Sequence, residues 1–272
     1  STATRQLARG FSRAARRYDR EASVQRTIAS ETMALIREAT SLPKFAESPQ
    51  SILEIGCGTG FLTSELVEGY PAAELDICDV AQGMIDSTRE HLGGRASLRC
   101  YVGDVRQLKL DRQYDLVVSS SAVHWIEPAA ELFALVRELL SPGGTCVFSA
   151  MIAGTLAELR TLRAEIAPNK PLRSELPSLV GLRNAVSASG LIVHSCFDRT
   201  FSARAADSRA LLRSVSGLGF STGQCFGPQR PLNRTELDEL CRQYDERYAL
   251  ATGGVGATYS SCFIICSKAE PA

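Results

Sequence analysis

The spacing of hydrophobic positions changes near residue 50. Upstream, Phe11, Ala14, Ala15, Tyr18, Ala22 and Gln25 recur at steps of three and four and share one helical face. A second helical pattern, carried by Ile28, Met33, Leu35 and Ile36, follows and stops near Pro43 and Pro49. The period then shortens. Apolar runs at 51–55 (SILEI), 73–79, 97–102, 114–120 and 145–150 predict buried strands, and helical stretches at 61–69, 81–92 and 129–140 lie between them. Ser141-Pro142-Gly143-Gly144 after the last of these helices is a stop-and-turn signal. Such alternation implies right-handed βαβ units and a mainly parallel sheet.

After the fifth strand the alternation loosens. Helices are expected at 155–166, 177–189, 205–216 and 233–250, with strands at 191–202 and 258–267. Asn233 is placed to cap the last helix, with Glu236 three residues on as its capping-box partner. Residues 1–47 then form an N-terminal helical pair covering residues 48–272, an α/β domain with inserted lid segments at about 151–176 and 203–256.

Composition narrows the class. The chain has 272 residues, 44% hydrophobic and 22% charged, with 30 basic and 30 acidic side chains. A balanced charge gives no field favouring nucleic acid or a membrane surface. Locally, Arg5, Arg9, Arg13, Arg16, Arg17, Arg20 and Arg26 face only Asp19 and Glu21. The nine cysteines form no CxxC pair and fall largely in apolar runs, the pattern of reduced core thiols in the cytoplasm. Cys262 and Cys266 lie on one face of a predicted strand as packing, so no metal is expected. No apolar stretch approaches the ~20 residues of a membrane span.

Glu54-Ile55-Gly56-Cys57-Gly58-Thr59-Gly60 joins a strand to a helix, where glycines let the backbone turn tightly and approach a ligand. A dinucleotide loop reads GxGxxG, and the position it needs as glycine is Phe61 here. Asp79 ends the second strand, where a carboxylate can accept both hydroxyls of a ribose. Asp104 in Gly103-Asp104-Val105 could accept from an adenine amino group beside the apolar Val105, and Tyr114-Asp115-Leu116-Val117 opens the fourth strand. In order and spacing these four features resemble the motifs of class I methyltransferases. The resemblance implies a Rossmann-like, mostly parallel seven-stranded sheet with N-terminal helices and a helical lid, and S-adenosylmethionine as cofactor with S-adenosylhomocysteine as product. It assigns the cofactor to Glu54, Gly56, Cys57, Gly58, Asp79, Val80, Met84, Asp104, Val105 and Ser119, with Tyr18 and Gln25 closing over it.

The segment after the fourth strand, Ser119-Ser120-Ser121-Ala122-Val123-His124-Trp125, lacks the NPPY pattern of amide N-methyltransferases. It offers hydroxyls, an imidazole and the only tryptophan, and Val123, His124 and Trp125 serve equally well as packing. Residues 11–19 with Ala22 and Gln25, the stretch Phe148–Leu159, Leu211 to Gly219, and Leu232 to Leu237 with Tyr248 and Tyr259 resemble the malonyl-acyl-carrier-protein O-methyltransferases of biotin synthesis. Departures fall at Ser216, where a lysine is common, and at 252–256.

That resemblance implies methylation of the free malonyl carboxylate on acyl carrier protein, with malonyl-CoA a further acceptor to test. Tyr18, His124 and Arg213 would then be catalytic, with Arg213 holding the anion. The first-helix arginines with Arg199, Arg204, Arg209 and Arg213 would meet the acidic carrier, and a cytoplasmic monomer is expected. Two alternatives stay open. One is the same fold acting on another small acid (aconitate-like) or a quinone carbon; the other is a non-catalytic cofactor-binding assembly factor.

Overall fold

The computed structural model describes residues 2–41, 48–94, 98–170, 172, 175–218 and 230–270. Pro43, Gly219 and Cys225 lie outside the described residues, as do the side chains of Ala14 and Arg16.

Seven strands form one sheet: β1 (Ser51–Ile55), β2 (Glu74–Asp79), β3 (Leu98–Val102), β4 (Tyr114–Ser120), β5 (Leu140–Met151), β6 (Ile192–Ala205) and β7 (Val255–Ser267). Their order is β3-β2-β1-β4-β5-β7-β6. β3, β2, β1, β4 and β5 pair in parallel, and β7 runs antiparallel to both β5 and β6. The expected mostly parallel α/β sheet is therefore borne out. The order reverses between β1 and β4, so their carboxyl ends open a crevice at residues 55–60 and 120–122, the position where open α/β sheets bind ligands.

Helices α1 (Thr2–Glu21) and α2 (Ser23–Ser41) are separated only by a break at the fully buried Ala22. α2 lies under the sheet with Ile28, Met33 and Ile36 wholly buried, and truncating any of them to alanine would cost about 2–5 kcal/mol. α3 (Phe61–Gly69) packs beside α2, and α4 (Gln82–Leu92) packs on α1. α5 (Ala129–Leu139) and α7 (Leu179–Ala188) cover the other sheet face, where Phe133 stacks against Phe148 with centroids 4.9 Å apart. α6 (Ala157–Ile166), α8 (Ser208–Gly217) and α9 (Arg234–Arg247) gather over β6 and β7, and α8 also touches α1. Asn233 and Glu236 form the expected capping box, each accepting the other's backbone N–H. Cys262 and Cys266 are buried together in one apolar cluster with Ile264.

One turn signal reads differently in the structure. Ser141-Pro142-Gly143-Gly144 lies inside β5, and the pairing with β4 jumps from Tyr114↔Leu140 to Leu116↔Thr145. A Cβ on Gly144 would stand 2.8 Å from the Ser141 carbonyl oxygen and 3.0 Å from that of Tyr114. The glycines therefore let the strand kink in place without leaving the sheet.

The N-terminal end of the sheet carries a buried charge. Asp76 accepts from Tyr114 Oη at 2.7 Å, and from Arg99 Nε and Arg112 Nη2 at 2.8 Å each. Those donors make its burial tolerable.

Candidate active site

The glycine loop is fastened to the end of β2: the N–H groups of Gly56 and Cys57 both donate to the Cys78 carbonyl, at 2.8 and 3.1 Å. Gly56 has φ +74°, and a Cβ there would meet the Ala122 Cβ at 2.2 Å, so only glycine fits. Gly58 has φ +55° with open space where a Cβ would stand, so no side chain intrudes on the crevice there. That crevice is a cavity of about 260 Å³.

Of the acidic residues lining the cavity, Glu54 and Asp79 are the ones at the glycine-loop end, with Asp104 and Glu127 farther along. Glu54 is 1% exposed and accepts from Thr63 Oγ1 at 2.6 Å. Burial pushes its pKa up to about 8, with the Thr63 bond opposing and the Asp79 charge adding. Asp79 accepts from the Gly58 N–H at 3.1 Å and the Ala81 N–H at 2.8 Å. Burial raises its pKa to about 6 against those two bonds. A cationic, hydroxyl-bearing ligand would relieve both groups.

Leu7, Phe11 and Tyr18 of α1 wall the cavity, and Phe11 meets Trp125 edge-on with centroids 5.6 Å apart. Burial, then the Asp79 and Asp19 charges, raise the pKa of Tyr18, which stays a hydrogen-bond donor at neutral pH. Gln25, Cys57, Val80, Met84 and Val105 also line the space. Gln25 Oε1, Thr59 Oγ1 and Ser121 Oγ are buried there without hydrogen-bond partners. Such atoms are costly unless a ligand satisfies them.

Three sequence-predicted residues stand elsewhere. Ser119 is buried behind the loop, donating through Oγ to the Ile55 carbonyl at 2.7 Å. His124 is 3% exposed and accepts the Met151 N–H at Nδ1, 3.2 Å away; burial lowers its pKa to about 3. Its ring stacks near Trp125 but does not line the cavity. Arg213 is exposed on α8, outside the cavity lining. Asp104 does reach the cavity, yet its carboxylate is taken by Arg106, which donates through Nε at 3.0 Å and Nη2 at 2.7 Å. Those bonds hold the Asp104 pKa below the usual carboxylate range.

Sequence reasoning missed Arg106 and named Ser121 only as one of several hydroxyls, without a role; both are cavity residues. Arg106 was signalled by its place two residues beyond Asp104, within reach of that carboxylate. Nothing local singles out Ser121 from Ser119 and Ser120, because its φ of +56° is set by the chain leaving β4 beside the glycine loop.

A family model described as "Methyltransferase domain" matches residues 52–144, the segment from β1 through β4 to the start of β5, which carries the glycine loop and Asp79. The chain is a class I, S-adenosylmethionine-dependent methyltransferase. Similarity extends beyond that segment. Malonyl-[acyl-carrier protein] O-methyltransferase 2 of Ilyobacter polytropus is 26% identical over 240 residues, 88% of this methyltransferase and 89% of the relative. The malonyl-[acyl-carrier protein] O-methyltransferase of Anoxybacillus flavithermus is 29% identical over 266 residues, 93% of each chain. The resemblance noted from the sequence is thereby borne out. The fold matches phosphoethanolamine N-methyltransferase 2 of Haemonchus contortus, solved with S-adenosyl-L-methionine, with TM-score 0.53 and 15% identity, covering 89% of this methyltransferase and 53% of that chain. Among the described residues no helix is long and apolar enough to cross a membrane.

Proposed function

We propose that this methyltransferase esterifies the free carboxylate of a malonyl thioester carried on acyl carrier protein, giving the malonyl methyl ester used in biotin synthesis. The observation that carries the reading is the span of its similarity. Proteins of that name match about nine-tenths of the chain, far beyond the methyltransferase-domain segment at 52–144.

The cavity suits the cofactor. Gly56 and Gly58 leave room for close approach, the Gln25 amide oxygen and the Thr59 and Ser121 hydroxyls are open to ligand hydrogen bonds, and the buried Glu54 and Asp79 carboxyls favour a cation beside hydroxyls. S-adenosylmethionine supplies an electrophilic methyl group on a sulfonium when bound. In this reading Glu54 holds the positively charged amino-acid end and Asp79 the ribose hydroxyls, with Cys57, Val80 and Met84 as walls. Val105 packs on the adenine. Asp104 positions Arg106 and the adenine-side loop, since its oxygens are already engaged. Ser119 acts one step back, by fixing the Ile55 carbonyl at the start of the loop.

The acceptor needs no general base, because a carboxylate with a pKa of about 4 is already ionised at neutral pH. Tyr18 and Gln25 aim it, the phenol of Tyr18 donating without quenching it as a full cation would. Phe11, Trp125 and Phe61 exclude water, which favours a step that brings opposite charges together. His124, neutral and buried, supports the wall through Met151. Arg213 works at the surface, meeting the acidic carrier before the acceptor enters. The protein acts as a cytoplasmic monomer, and malonyl-CoA can replace the carrier form at lower efficiency.

The test is mass spectrometry of malonyl-acyl carrier protein after incubation with the enzyme and S-adenosylmethionine, with the acetyl form as control. Gain of one methylene on the malonyl form alone supports the assignment. No gain on that form, with cofactor binding intact, overturns it and directs attention to free small acids.

A further inference from the structure

Opposite walls of the cavity are joined through one imidazole that none of the roles above uses. α1 supplies one wall through Leu7, Phe11 and Tyr18, and the glycine loop supplies another through Gly58 and Thr59. His91, in the last turn of α4, lies between them. Its Nδ1 is 2.6 Å from the Thr59 carbonyl oxygen, and its Nε2 is 2.9 Å from Asp19 Oδ2 on α1. Each ring nitrogen thus stands within hydrogen-bond distance of an acceptor oxygen, one on the glycine loop and one on α1.

Asp19 follows Tyr18 directly and is held from a second side. Arg26 Nη2 donates to its backbone carbonyl at 3.4 Å, while the same guanidinium lies 4.3 Å from the centroid of the cavity residue Phe61. Farther along α1, Ser12 Oγ accepts the Gly83 N–H at 3.4 Å. Of these ties, only His91 reaches the backbone of the glycine loop itself.

We propose that His91 is a positioning residue that closes the cofactor cavity by tying the covering helix α1, through Asp19, to the Thr59 carbonyl of the glycine loop. With the tie made, Tyr18 is held over the crevice and the loop carbonyl is turned away from it. Without it, α1 separates from α4 and the cavity wall opens. Cofactor affinity then falls, while turnover of the bound complex is retained. The proposal depends on the cavity being the cofactor site and is independent of the methyl acceptor.

The experiment measures S-adenosylmethionine binding by calorimetry for the unaltered chain, His91→Gln, Asp19→Ala and the double variant, with hydrogen exchange on each. We expect each single variant to weaken binding about tenfold and the double variant to bind no worse than either, because one bridge is lost in all three. Asp19→Asn should recover part of the loss, since its amide oxygen still accepts from Nε2. Amides of α1 should exchange faster while those of β1 and β4 do not, and in turnover KM for the cofactor should rise with kcat preserved. Folded variants that bind as tightly as the unaltered chain, or losses that multiply in the double variant, would overturn the proposal. Failure of the unaltered chain to bind would instead overturn the cofactor site itself.

Discussion

Glu54 and Asp79 stand at the ends of neighbouring parallel strands and turn their carboxyls into one cavity, where the Asp79 charge adds to the cost of ionising that burial already imposes on Glu54. Without ligand this is a destabilised arrangement. A carboxyl whose folded pKa lies above its unfolded value binds more protons in the native state. Its contribution to stability therefore falls as pH rises, here between about 4.5 and about 8 for Glu54.

The Glu54→Gln variant should remove that penalty. Its ligand-free form should unfold later than the unaltered chain at pH 8, by on the order of 2 kcal/mol in denaturant titrations, and the gap should close toward pH 5. Cofactor affinity should move the other way, dropping roughly 30- to 150-fold for one lost charge-assisted contact.

Gly56→Ala should prove more damaging than Gly58→Ala. Both impose a positive φ on a side chain, but only the first drives a methyl into Ala122. We expect Gly56→Ala to lose about 2–4 kcal/mol of stability and all measurable cofactor binding, and Gly58→Ala to lose about 1 kcal/mol. Thermal melts with and without ligand separate the two.

His124 should stay neutral through the physiological range. Burial lowers its pKa to about 3, below the usual value for an imidazole, so its contribution to stability is complete above pH 6.5 and is lost as pH falls toward 3. Nitrogen chemical shifts should show no titration of this ring between pH 5 and 8. The pH–rate profile should be unchanged in that window by His124→Gln, while stability drops.

Arg213→Ala should cut kcat/KM for malonyl-acyl carrier protein about tenfold and leave KM for S-adenosylmethionine unaltered, with less effect on malonyl-CoA. Steady-state kinetics with both acceptors distinguish this surface role from one at the reacting carboxylate, which would depress both equally.

Removal of one phenol should report on the buried charge at the far end of the sheet. Tyr114→Phe takes away a 2.7 Å donor to Asp76 and should cost about 1–2 kcal/mol by equilibrium unfolding, with cofactor binding intact.

Local chemistry made much of this legible from the residues. The period-2 and period-3.6 patterns located the strands and most of the helices, because each element buries one stripe or face whatever its neighbours are. Glu54, Gly56, Gly58 and Asp79 were found because a ligand loop after a buried strand needs those residue types at those spacings. The kink at 141–144 was read as a chain reversal because sequence alone does not say that Tyr114 runs alongside to keep the strand paired.

What the tertiary structure decided is which side chains share a space. Ser119 and His124 sit in the motif-bearing segment, yet their hydrogen bonds go to Ile55 and Met151, on other elements, and turn them away from the cavity. Arg106 claims Asp104 within a single turn, a competition between an internal cation and a ligand that composition does not reveal. His91 gains a role only because α1 folds back onto α4, bringing Asp19 to it across more than seventy residues of chain. Sequence determined the class, the sheet and the cofactor loop through local periodicity and backbone geometry. Long-range packing alone determined the walls, the partners of each charge and the closure of the site, since those depend on distances between segments that no local pattern encodes.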